Sequence, residues 1–203
     1  MSKPLVGILM GSDSDFSVME EASKVLENFS INHEVIVSSA HRSPERTRKY
    51  VIGASKRGIK ILIAGAGAAA HLAGVIAAET TLPVIGVPIS SSALNGLDAL
   101  LSTTQMPGGV SVAGMAIGKA GAKNAGMLSV QILALSDKNL QKKLIPKEIL
   151  VQETLKFRKN SSLDLDTIKN TLANIGYINN PQVNFHGEFS IRGSIIDIFP
   201  GGF

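Results

Sequence analysis

A regular alternation of short apolar runs with helix-forming stretches constrains this chain more than any other feature. Leu5–Met10 is continuously apolar and stops at Gly11. An unalternating run of this kind fits a parallel strand buried on both faces. Ser12-Asp13-Ser14-Asp15 then offers helix caps before a helix carrying Val18, Met19, Ala22, Val25 and Leu26 on one face. His33–Val37 reads as a second strand, and Ser38–Glu45 as a turn with Pro44 as first helical residue after a Ser43 cap. That helix runs through Tyr50 to about Lys56. Ile59–Ala64 is a third strand, followed by a small-residue loop at Gly65–His71 and a helix to about Glu79. Pro83–Pro88 is a fourth strand, Leu94–Ser102 a helix, Val110–Val112 a short fifth strand, and Lys123–Leu135 a helix continuing towards Lys143. Strand, turn and helix recur about every 25 residues, the pattern of a parallel sheet with helices on both faces. The fold class is therefore α/β.

The pattern does not persist to the C-terminus. Residues 1–143 hold 15 of the 20 glycines and 19 alanines, but only three aromatics, Phe16, Phe29 and Tyr50. Residues 144–203 hold one alanine, Ala173, and six aromatics. The tail's charges cancel, so the whole net charge of +4 lies in the first part. Two units are expected, 1–143 and 144–203. The absence of cysteine excludes a disulfide scaffold, a thiolate metal site and a cysteine nucleophile. Scattered positive charge and only 4% aromatics give no basic face and no stacking platform, so no nucleic-acid partner is expected. No apolar run reaches the roughly 18 residues of a membrane span. With no signal-peptide pattern at Met1–Pro4, the expectation is a cytoplasmic protein without a membrane partner.

In open parallel sheets, ligands bind beyond the carboxyl ends of the strands. Three strand-ending loops there are unusually small or polar, Gly11–Asp15, Ser38–Ser43 and Gly65–His71. Each precedes a helix, whose free N–H groups and dipole favour an anion. Ser12 and Ser14 can donate to phosphate. Asp13 and Asp15 would repel one, so each caps its helix or binds ribose hydroxyls. Arg42 can grip phosphate or carboxylate with two parallel bonds, and His41 can move protons near neutral pH. The Gly/Ala loop before His71 lets a flat ligand approach the backbone closely. It is not a dinucleotide fingerprint, since Gly65 and Gly67 are followed by Ala70, and no triphosphate-binding loop occurs. His41 and His71 lack further ligands at usual spacing, so no metal is expected.

Taken together, Gly11–Asp15, Ser39-Ala40-His41-Arg42, Ala64–Gly67 running to Ala70-His71-Leu72, Pro83–Pro88, Gln105–Val110 and Ala116–Gly118 running to Asn124-Ala125 closely resemble the class I N5-carboxyaminoimidazole ribonucleotide mutases of purine biosynthesis. The resemblance covers roughly residues 5–143. It departs from the family pattern only at Ala68, Ala73 and Ser111, which replace Gly, Pro and Pro. It implies a flavodoxin-like three-layer sandwich, a homo-octamer, a small ribonucleotide as substrate, and no cofactor or metal. Carried across residue by residue, it implies His41 as catalytic acid/base and Ser12, Asp15 and Arg42 as substrate-binding residues. Ser14, Ser39, Ala40, Ala66, Gly67, Ala70, His71 and Leu72 line the pocket. The implied reaction moves a carboxylate from N5 to C4 by decarboxylation and recarboxylation. This needs an enclosed pocket that retains carbon dioxide. Two other readings remain open: a carboxylase taking free carbon dioxide, and a catalytically idle binding or scaffold protein.

After Lys143 that pattern stops, and Pro146 breaks the helix. Gly176-Tyr177 and His186–Pro200 are similar to part of the N-terminal module of the bacterial transcription-repair coupling factor. Leu165–Ile175 is then the module's short helix and Phe189–Ile198 its strand pair, a C-terminal α+β extension. Ile191, Ile195 and Ile198 are expected to lack strand partners. A truncated fusion or assembly artefact is the preferred account; a genuine appendage and an interaction arm are the others.

Overall fold

Val6–Met10 forms β1, the strand on which the fold is organised, with all five residues buried. The computed structural model describes residues 3–144, 164–174, 177–193 and 195–199. The chain divides into two compact units, Met1–Leu144 and Ile145–Phe203. In the first, β1 lies between β2 (His33–Val37) and β3 (Ile61–Gly67), and β4 (Val84–Ile89) and β5 (Ala113–Gly114) follow on the far side of β3. The order 2-1-3-4-5 is all parallel, with Val6 opposite both His33 and Ile61. This is the flavodoxin-like order, and its direction of winding reverses between β1 and β3.

Helices cover both faces. On one, α1 (Phe16–Asn28) and α5 (Lys119–Ala134) pack over a cluster including Ile8, Met10, Met19, Leu26, Ile63 and Val130. Gly126 makes that approach possible, because an added Cβ would lie 2.9 Å from both the Ala22 carbonyl oxygen and the Val25 Cβ. On the other face, α2 (Pro44–Arg57) and α3 (Leu72–Ala78) bury Leu9, Val51, Ala54, Leu62 and Ile76. A parallel sheet must be covered in this way, which is why its strands read as continuous apolar runs. α4 (Leu97–Thr104) follows β4.

Several expected boundaries shift for local reasons. β3 runs on to Gly67, because Ala66 and Gly67 pair with Pro88 and Ile89. The fifth strand is Ala113–Gly114 rather than Val110–Val112. α4 begins at Leu97, since Asn95 and Gly96 hold left-handed φ values of 52° and 87°. The expected run from Lys123 towards Lys143 is two helices. Asp137 restarts the chain as α6 (Lys138–Lys143), its carboxylate accepting from the N–H groups of Asn139 and Leu140.

In the second unit, a helix at Leu165–Asn174 accompanies β6 (Ile178–Asn179), β7 (Glu188–Arg192) and β8 (Ile195–Phe199). β7 is central, parallel to β6 and antiparallel to β8, with Phe189 opposite Ile198. Phe189 is fully buried against Ile168 and Leu172. Ile191, Ile195 and Ile198, expected to lack strand partners, pair with Ile196, Arg192 and Phe189 across β7 and β8; Ile191 and Ile198 also pack on this cluster, and the Ile195 side chain is exposed. Pro146, Ile175 and Gly176 lie outside the described residues.

Candidate functional site

The parallel register brings the carboxyl ends of β1, β2, β3 and β4 to one edge, and their loops border a cavity of about 330 Å3. It is lined by Gly11, Ser12, Ser14 and Asp15 from the first loop, by Ser39 to Arg42 from the second, by Ala66, Gly67, Ala69 and Leu72 from the third, and by Ser91 from the fourth. Its position is where the winding of the sheet reverses, the expected place for a ligand in this architecture.

The first loop is a short 3-10 turn at Asp13–Asp15, capped by Ser12. The Ser12 hydroxyl accepts from the Ser14 N–H, and the Asp15 carboxylate accepts from the Ser12 N–H at 3.1 Å. Ser14 donates its hydroxyl to that of Ser12 at 2.9 Å. Asp15 is thus both a cap and a cavity wall. Burial pushes its carboxyl above the ordinary carboxylate range, opposed by the Ser12 N–H and by the positive charge of Arg42.

The second loop is held from within. The Ser43 hydroxyl donates to the Ser39 carbonyl and accepts from the Ser39 N–H, both at 3.1 Å. It therefore ties the loop rather than capping α2, the role its sequence position predicts. The Ser39 hydroxyl accepts from the Arg42 N–H at 3.2 Å. The Arg42 guanidinium donates to the Gly11 carbonyl at 2.8 Å and so stitches the second loop to the first. His41 is exposed at the rim, with Nε2 2.9 Å from Nδ1 of His71 and the two rings edge to face. One nitrogen of that bond donates and the other accepts, so both rings cannot be doubly protonated while it holds.

The third loop accounts for its small residues differently from the sequence reading. An added Cβ at Gly65 would overlap the Met19 sulfur, and one at Gly67 would overlap the Ser91 hydroxyl. At these two positions the missing side chains make room for protein atoms, while Ala66, Gly67 and Ala69 still line the cavity. Ala70 is buried and does not line the cavity. His71 meets the site through His41 instead of through the cavity wall. The remaining expected residues, Ser12, Ser14, Asp15, Ser39, Ala40, His41, Arg42, Ala66, Gly67 and Leu72, are gathered around one cavity.

Gly11 and Ala69, within two of the loops expected at the site, line it as well, and so does Ser91, which sequence reasoning did not single out as a site residue. Ser91 follows β4 in a Ser90-Ser91-Ser92 run, and a polar loop after the fourth strand was the available signal. His41, Arg42 and Ala69 are exposed, so in one chain the cavity is an open cleft rather than the enclosed pocket expected. Among the described residues no group of three His, Cys, Asp or Glu side chains could hold a metal ion, and no helix is long and apolar enough to cross a membrane.

Comparison with known proteins agrees with this fold. Residues 5–153 match the AIR carboxylase family, and residues 155–203 match the UvrB interaction domain. The first match runs ten residues past Lys143, where the sequence pattern was expected to stop. The chain is 57% identical over 142 residues to the N5-carboxyaminoimidazole ribonucleotide mutase of Bacillus subtilis, covering 70% of this chain and 88% of that protein. It is 54% identical over 144 residues to the phosphoribosylaminoimidazole carboxylase of Saccharomyces cerevisiae, covering 71% of this chain but 25% of the yeast protein. The crystal structure of Treponema denticola PurE superposes with a TM-score of 0.65 at 25% identity, over 85% of this chain and 99% of that one.

Proposed function

The chain belongs to the AIR carboxylase family, and on that premise we propose that it is an N5-carboxyaminoimidazole ribonucleotide mutase. It is then an isomerase of purine biosynthesis acting on a small ribonucleotide. The observation that carries this reading is the position of His41, on the same cleft as Arg42, Asp15, Ser12 and a wall of small residues.

In this reading the ribonucleotide phosphate sits against Arg42, Ser12 and Ser14. Asp15 accepts from the ribose hydroxyls, which reconciles an acid with a phosphate loop. The imidazole lies along Ala40, Ala66, Gly67 and Leu72. The carboxylate leaves N5 as carbon dioxide while N5 takes a proton. C4 then attacks the carbon dioxide, and the C4 proton must be removed. His41 serves as the acid and the base. The His71 ring restrains it, and Ser39 with Ser43 fixes its loop. This route uses only these side chains and the substrate, without a metal or organic cofactor.

The same proposal includes assembly as a homo-octamer in the cytoplasm. In this reading the second unit takes no part in the reaction. All residues lining the cavity come from the first unit.

Assaying the carboxylated ribonucleotide, and the uncarboxylated one with bicarbonate, tests the assignment. Conversion of the first alone supports the mutase. Conversion of the second supports a carboxylase, the reading favoured by the identity to the yeast enzyme. Tight product binding with no turnover would support a scaffold.

A further inference from the structure

The fourth loop carries a group that none of the preceding roles uses. Ser91 stands just beyond β4, whose last residue, Ile89, pairs with Gly67. Its surroundings are held on both sides. The Ser92 hydroxyl donates to Asp98 at 2.7 Å and accepts from the Leu94 N–H at 3.2 Å. Gly96, with φ 87°, lies so close to Ser90 that an added Cβ would be 3.3 Å from the Ser90 backbone. Between these anchors the Ser91 side chain rests over Gly67, in space that any larger residue at Gly67 would occupy.

The other cavity serines are engaged. Ser12 and Ser14 bond each other, and Ser39 accepts from Arg42. Ser91 lines the cavity with no hydrogen bond to the protein among the described residues. It is also the only hydrogen-bonding side chain on the β3–β4 wall, which otherwise consists of Ala66, Gly67, Ala69 and Leu72.

We propose that Ser91 is a further substrate-contacting residue, its hydroxyl donating to the carboxylate carried by the imidazole. The inference rests on the functional reading above, which puts the phosphate at the Arg42 end and the heterocycle against the small-residue wall. A hydroxyl donor there distinguishes carboxylated from uncarboxylated ribonucleotide. Gly67 acts through it, as the residue that leaves room for the serine.

The test compares Ser91→Ala, Ser91→Thr and the parent chain. Calorimetry measures binding of the 4-carboxylated product and of 5-aminoimidazole ribonucleotide, which lacks the carboxylate. Ser91→Ala should weaken the first roughly tenfold, as expected for losing a hydrogen bond to a charged group, and leave the second unchanged. The value of kcat/KM should fall by a similar factor, and Ser91→Thr, which keeps the hydroxyl, should recover most of it. Equal weakening for both ligands would mean a merely structural role and would overturn the proposal, as would a Ser91→Ala variant within twofold of the parent in both measurements. A parent chain that neither binds nor converts the ribonucleotides would instead overturn the functional reading itself, and this inference with it.

Discussion

The two units solve the burial of a sheet in opposite ways. In the first, β1 and β4 are buried along their whole length, because helices cover the sheet on both faces. In the second, β8 is exposed at its ends, Ile195 and Phe199, and half-buried from Ile196 to Ile198, and the unit's core among the described residues is Ile168, Leu172 and Phe189. The first arrangement fixes a strand edge rigidly from below, and four loops can then share one cleft. The second packs one side chain of large area and leaves a partly exposed sheet. Catalytic geometry demands the first kind of support, since misplacement by about 1 Å can cost on the order of a hundredfold in rate.

Four substitutions test this contrast. The largest effect is expected from His41→Asn. It should lower kcat by about 10²–10⁴-fold with an unchanged circular dichroism spectrum; a variant turning over at near the parent rate would remove His41 from the mechanism. Phe189→Ala should cost the second unit about 3–5 kcal/mol. Amide exchange should then accelerate across Leu165–Phe199 and stay slow in β1 and β3, with turnover unaffected. Loss of activity would mean that the units are not functionally separate.

Asp15 gives a smaller, pH-dependent effect. Its carboxyl is raised mainly by burial, so the folded state holds the proton more tightly than the unfolded chain. Its contribution to stability is therefore greatest below the ordinary carboxylate value and declines as pH rises through the raised one. Asp15→Asn should melt at or above the parent temperature at neutral pH while binding ribonucleotide roughly tenfold more weakly. In the parent, affinity should fall as acidification protonates Asp15, a dependence the asparagine variant should lack.

The smallest effect lies in the second unit, where Glu188 has the opposite sign. The N–H groups of Asn184 and Phe185, at 2.8 and 2.9 Å, hold its carboxyl below the ordinary range, and Asn180 adds a further bond. Its stabilisation is present above the ordinary value and lost as pH falls through the depressed one. Exchange protection of β7 should follow that course, and Glu188→Gln should flatten it.

Most of this architecture was legible along the chain. Continuous apolar runs mark β1, β3 and β4, since strands buried on both faces have no polar side to show. His41 and Arg42 stood out because a titratable ring beside a guanidinium follows a strand. Short-range chemistry was harder to read. Ser43 looks like a helix cap, yet its hydroxyl bonds Ser39, because the turn brings that backbone closer than the helix's own N–H groups. The break before α6 rests on Asp137, a cap that looks like any exposed acid in a helical run.

The strand and helix alternation, the change of composition after Lys143, and the loops rich in serine, alanine and glycine at strand ends are all written along the chain. Which of those loops meet depends on how the strands assemble. The order 2-1-3-4-5 is a matter of pairing between strands far apart in the chain. That pairing brings Ser91 over Gly67, joins His71 to His41, and turns Ala70 into the core. Local propensity and periodicity act over a few residues. The neighbours that give a side chain its role here lie tens of residues away, and strand register alone brings them into contact.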